Sequence, residues 1–145
     1  MAQQLGLLQQ VAALPYRIKG DNVEFLVITS RRRKRLIVPK GWPMPGLTDA
    51  KAAATEADEE AGVKGRVDTK AFASFEYIKN LGDLAVPVNA SVFPLRVKKL
   101  KSEYKERKER KRKWMSAEEA ADKLDDGGLR LLVKLYADKL QRSEL

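Results

Sequence analysis

Residues 39–46, PKGWPMPG, place three prolines and two glycines in eight positions. Proline removes a backbone donor and fixes φ, so this stretch can be neither helix nor central strand. It is a loop, and it separates two unlike segments. Before it, LQQVAALPYRI (8–18) and EFLVITS (24–30) are apolar, the second with β-branched residues. GDN at 20–22 supplies turn chemistry between them, so two strands of a hairpin or meander are expected. LIVP at 36–39 reads as a short buried strand. After the loop, the run DAKAAATEADEEA is rich in Ala and Glu. Thr48 is a fitting N-cap, Asp49 lies in the first turn and Gly62 suits the C-cap, which predicts a helix. Ala53, Ala57 and Ala61 share one face, small enough for close approach to a sheet.

Strand-like segments follow at 71–78 and 84–97, the second interrupted by Pro87 and Pro94, which suggest bends or edge positions. A short strand is expected at 111–115. Ser116 opens the capping box SAEE of a second helix, and a last helix covers about 128–142. Alternating strand groups and helices predict an α/β sandwich with a mixed sheet. With 145 residues, no internal repeat and no linker, the chain reads as a single domain, 1–145.

The chain has no Cys and no His. Disulfides, thiolate or imidazole zinc sites and Ser-His or Cys-His nucleophile systems are therefore excluded. Any catalysis without an organic cofactor must use carboxylates, Lys, Arg, Tyr or a hard cation held by oxygen. No stretch approaches the roughly 20 apolar residues of a membrane span. The N-terminal stretch has no basic lead and Gln interrupts its apolar run, so it does not read as a signal peptide. A cytoplasmic protein without a membrane partner is expected.

The net charge of +9 is uneven. Residues 31–35 (RRRKR) carry +5 and residues 98–113 carry +7, leaving the remainder acidic at −3. Such patches attract polyanions, whether nucleic acid, an acidic membrane or a small polyphosphate; they serve equally well as solvated faces.

Glu56, Glu59 and Glu60 stand at i, i+3 and i+4, on one side of the expected helix. Like charges at this spacing repel by a few tenths of a kcal/mol. A divalent cation among them relieves that repulsion, and oxygen ligands suit Mg²⁺ or Mn²⁺. The alternative is an ordinary solvated acidic face.

Taken together, the rigid loop, the helix and its glutamates resemble the Nudix hydrolase family, whose box is G-x5-E-x7-R-E-U-x-E-E-x-G-U, with U a bulky aliphatic. Laid on this chain, Gly41, Glu56, Glu59, Glu60, Gly62 and Val63 fall in register, and Ala57 is a weak aliphatic match. Leu47 stands where the first Glu belongs and Thr55 where the Arg belongs. VPKGWPMPG and ERKRKWMSAEEA resemble segments of the diphosphoinositol polyphosphate and dinucleoside polyphosphate hydrolase branch. The resemblance implies a Nudix-like α/β/α sandwich with a mixed sheet.

It also implies roles for residues. Glu56, Glu59 and Glu60 would be metal ligands or base, with the Gly41 carbonyl a further ligand, usually for Mg²⁺. The reaction implied is hydrolysis of a phosphoanhydride in a nucleoside diphosphate linked to X. Lys40 is the candidate phosphate contact beside the loop. One or two of Arg31, Arg32, Arg33, Arg35, Arg110 and Arg112 are expected to bind phosphate, since the guanidinium fork holds oxygens bidentately. In an extended segment Arg110 and Arg112 would share a face. Glu106 and Glu109 are candidates for an acidic group outside the box. Trp114, Trp42 and Tyr104 are each open to stacking on substrate or to packing. Thr55 cannot pair with a carboxylate, so the cluster is expected to be looser and the enzyme slower. A second reading keeps the fold as a catalytically weak module that binds RNA or a polyphosphate; nucleic acid is the less favoured partner, since no RNA-binding aromatic motif occurs. A third treats the charge as a solubility or self-association feature, and the sequence specifies no oligomeric state.

Overall fold

The computed structural model describes residues 8–143. Part of the N-terminal stretch read above for a signal peptide therefore lies outside the described residues. Along the chain come β1 (Leu8–Lys19), β2 (Asn22–Thr29), β3 (Leu36–Ile37), β4 (Lys40–Gly41), α1 (Asp49–Ala61), β5 (Val63–Val67), β6 (Ala73–Leu81), β7 (Leu84–Leu100), β8 (Arg112–Ser116), α2 (Ala117–Lys123) and α3 (Gly127–Ser143). Among the described residues, the eight strands form one mixed sheet. Its spine runs β3-β2-β1-β7-β5, with β8 beside β2, β4 beside β1 and β6 beside β7.

The pairing of β1 with β7 is parallel, from Leu8 opposite Val88 to Tyr16 opposite Arg96, and ties together segments eighty residues apart. The expected hairpin is present, with Tyr16 to Lys19 paired antiparallel to Phe25 to Asn22. Alternation along β1 sorts its side chains onto two faces. Ala12, Leu14 and Tyr16 join a core roofed by Leu129, Leu132, Val133 and Tyr136 of α3. Val11 and Ala13 join a second core beneath Ala50, Ala53, Ala57 and Ala61 of α1. Helices thus cover both faces, as the α/β/α expectation required.

The caps of α1 are those the sequence marks. Thr48 Oγ1 accepts from Lys51 N–H at 3.2 Å, and Gly62 ends the helix in the left-handed region at φ 67°. Ser116 caps α2 through Glu119 N–H. The prolines of β7 do not break it, since the strand runs from Leu84 to Leu100 through both, and they take the edge positions expected: Pro87 lies one residue before the β1 pairing begins at Val88. Pro94 falls between the β6 pairing, which ends at Val92, and the β5 pairing, which begins at Leu95. A proline there leaves no ladder bond unmade, and its carbonyl still accepts from Asp68 N–H at 2.9 Å. Among the described residues no helix is long and apolar enough to cross a membrane.

Candidate active site

β4 pairs with β1 at Val11 and Ala12, which sets Lys40 and Gly41 beside the middle of α1. The small Ala face lets α1 lie close, and the Glu56 carboxylate packs directly onto Gly41, where a Cβ would overlap it. One turn on, the Glu60 side chain is 8% exposed. A side-chain hydrogen bond joins Glu60 to Glu56. Burial pushes the Glu60 pKa up to about 8; Arg110 opposes the rise, and the hydrogen bond to Glu56 and the Glu56 charge add to it. Burial likewise raises Glu56, and that hydrogen bond opposes the rise.

This acid pair lines an open cleft of about 1110 Å³. Arg31, Arg32, Arg33 and Arg35 line it too. Ser30 shapes their turn: its N–H donates to the Arg35 carbonyl at 2.7 Å and its Oγ accepts from Arg35 N–H at 2.9 Å. The β6–β7 hairpin adds Tyr77, Ile78 and Leu81, and the loop adds Trp42. Ile78, at 62% exposure, offers the cleft an apolar surface.

Lys40 projects into this space with Nζ 4.9 Å from the centre of the Tyr77 ring. Burial lowers its pKa, and the nearby Asp126 and Glu60 carboxyls counter that. Tyr77 donates its hydroxyl to Gln10 Oε1. Burial, reinforced by Asp126 and Glu60, pushes its phenol up to about 12, so it stays protonated.

The remaining sequence candidates divide clearly. Arg110 reaches the cleft; Arg112 does not line it, because its guanidinium donates to the carbonyls of Ala61 at 2.7 Å and Lys101 at 2.8 Å and stacks on Tyr104. Glu106 lines the cleft, whereas Glu109 pairs at the surface with Arg31 at 3.3 Å. Glu59 turns toward Lys105, 3.7 Å away. Trp114 packs under the Arg17 guanidinium at 4.0 Å and against the α1-side core. Sequence reasoning missed Asp125, Asp126 and the 77–82 hairpin, all of which line the cleft. The signal for the aspartates was present, as an acidic pair immediately before a helix start.

Among the described residues no set of three acidic side chains is gathered at metal-holding spacing. Glu56 and Glu60 are the acidic pair already in contact. With Gly41 against them, the donor set is all oxygen and suits a hard divalent ion.

No family model matches the chain. Curated relatives do. Nudix hydrolase 18, mitochondrial, of Arabidopsis thaliana is 31% identical over 144 residues, covering 93% of this chain and 79% of that protein. Nudix hydrolase 17, mitochondrial, of the same plant is 30% identical, with 93% and 76% covered. The chain belongs to the Nudix hydrolase family. It is therefore a hydrolase, and phosphoanhydrides are the bonds this family cleaves. Solved structures agree on the fold: the C. elegans Ap4A hydrolase superposes with a TM-score of 0.67 at 18% identity, over 92% of this chain and 98% of that one. The Nudix domain of Shewanella oneidensis NrtR, complexed with ADP ribose, gives 0.70 at 10% identity, over 92% and 88%.

Proposed function

We propose that the chain hydrolyses, with Mg²⁺ or Mn²⁺, a phosphoanhydride bond in a nucleoside diphosphate linked to a further charged group, most simply a dinucleoside polyphosphate. The observation that carries this reading is the composition of one cleft, where the Glu56–Glu60 pair and Gly41 share space with Lys40, Arg110 and the four arginines of the 31–35 turn. Four guanidinium forks exceed what one diphosphate needs, which favours a substrate with several phosphates. Trp42, Ile78 and Leu81 add apolar wall suited to a nucleoside. An inositol polyphosphate would leave that wall unused, so it stands second.

Gly41, Glu56 and Glu60 would hold the ion, with Glu59 or Glu106 completing the set or serving as base. A divalent ion there would offset phosphate charge and acidify the attacking water. Lys40 and the 31–35 turn orient the phosphate chain, and Trp42 positions the leaving nucleoside. Positioning and charge stabilisation dominate phosphoryl chemistry, so the absence of His and Cys is no obstacle. The Ap4A hydrolase named above supports this substrate class.

The test is a panel of dinucleoside polyphosphates, nucleoside diphosphate sugars and diphosphoinositol polyphosphates with Mg²⁺ or Mn²⁺, comparing wild type with Glu60→Gln. Hydrolysis lost in the variant supports the reading. Equal rates overturn it, and salt-sensitive RNA binding without turnover would favour the weak-module alternative.

A further inference from the structure

Thr55, where the family box carries arginine, donates its hydroxyl to the Lys51 carbonyl at 2.9 Å, back along its own helix. It contributes nothing to the acid cluster. A guanidinium nevertheless stands in the cleft wall, delivered from elsewhere. Arg110 lies just before β8 with its side chain 9% exposed. Its Nε donates to Glu106 Oε1 at 2.7 Å, its Nη1 donates to the Thr29 carbonyl at 3.1 Å, and its Nη2 lies 3.8 Å from Glu60 Oε1. One fork therefore reaches three segments: the end of β2, the loop and α1.

The backbone around it is equally tied down. Lys111 N–H donates to Thr29 Oγ1 at 2.9 Å, and Thr29 N–H donates to the Lys111 carbonyl at 3.0 Å. Glu106 N–H donates to the Glu59 carbonyl at 2.9 Å, which fastens the loop to the last turns of α1. A buried arginine so fixed restrains both groups: by moving, Glu106 would forfeit a charge-assisted hydrogen bond and Glu60 an ion-pair contact at 3.8 Å.

We propose that Arg110 is a positioning residue, which holds Glu60 and Glu106 in the arrangement that a divalent cation requires, so that the 104–110 loop supplies the ordering guanidinium that position 55 lacks. The proposal rests on the functional reading above for the identity of the cation site. It is distinct in its prediction from a simple counter-ion. Removing a positive neighbour, by Coulomb's law alone, strengthens cation binding. Removing a positioning group weakens it, typically by about 10- to 100-fold for residues that orient metal ligands.

The experiment titrates Mn²⁺ alone into wild type, Arg110→Gln and Arg110→Lys by calorimetry, with circular dichroism and melting curves to establish folding. Hydrolysis of the best substrate then gives kcat and KM. Weaker Mn²⁺ binding in both variants is expected, about tenfold or more for Gln and less for Lys, with kcat reduced and KM for the polyphosphate little changed. Lys keeps the charge but not the fork, so it carries the comparison if the Gln variant fails to fold. Unchanged or tighter Mn²⁺ binding in the folded variants overturns the proposal. A wild type that binds Mn²⁺ but hydrolyses nothing overturns the functional reading alone, since the variants are compared by binding.

Discussion

The Glu56 carboxylate occupies the space in which a side chain on Gly41 would begin. Glycine is required there by close approach, not by an unusual φ. The obstructing atoms are the far end of a flexible side chain, so Gly41→Ala is expected to displace Glu56 while changing stability by no more than about 0.5 kcal/mol. A carboxylate moved by about an ångström can lower catalysis by about 100-fold. Melting curves beside initial rates check this; a large stability loss with normal rates would contradict it.

The Glu56–Glu60 pair makes the metal-free protein sensitive to alkali. Burial holds the Glu60 pKa near 8, against an ordinary value of 4.5. Between those values the folded chain binds more protons than the unfolded one, so stability falls as pH rises through that window. Melting temperatures measured in chelator from pH 5 to 9 should decline, and Glu60→Gln should flatten the decline. Mn²⁺ binding at pH 7 should release protons, seen as a dependence of the calorimetric heat on the buffer's ionisation enthalpy.

Arg32 and Arg33 make no ion pair among the described residues, while Arg31 pairs with Glu109 and Arg35 with Asp125 at 3.5 Å. The unpaired two are available to phosphate. Arg32→Glu with Arg33→Glu is expected to raise KM for a polyphosphate about tenfold at low ionic strength, with kcat nearly unchanged. The effect should shrink as salt rises, because exposed charges are screened. A KM indifferent to both substitutions would remove this turn from substrate recognition.

Gly62 serves two purposes at the end of α1. It adopts φ 67°, and a Cβ there would strike the Tyr104 ring and the Arg112 guanidinium. Gly62→Ala should therefore destabilise the fold by about 1–3 kcal/mol through backbone strain, with the clash in addition. Denaturant titration reads the loss directly.

Elements whose signals are local were legible in the sequence. Thr48 and Gly62 bound α1, Ser116 starts α2, and the alanine face of α1 meets the sheet as its small side chains imply. Glu56 and Glu60 were legible for the same reason, since helical periodicity alone puts them together. What spacing does not convey is which distant segment arrives. The hairpin bearing Tyr77 and Ile78 reaches the cleft through β6–β7 pairing and the parallel seam of β7 with β1, set by contacts across eighty residues. Arg110 and Arg112 look equivalent by alternation, yet the carbonyls of Ala61 at the end of α1 and of Lys101 just beyond β7 capture Arg112, while Glu106 and Thr29 draw Arg110 into the wall. Glu59 was grouped with its neighbours because the helix allows it; Lys105, from the loop, takes it the other way.

The seam between β1 and β7 also governs when the molecule can become an enzyme. A ribosome releases β1 long before β7, and pairing segments so far apart in the chain slows folding. Until β7 and β8 emerge, the sheet beneath α1 lacks its central parallel partner and one flank, and neither Ile78 nor Arg110 has a place to go. Function is thus switched on late and as a unit, and a nascent chain stalled before residue 112 should be inert toward nucleotides.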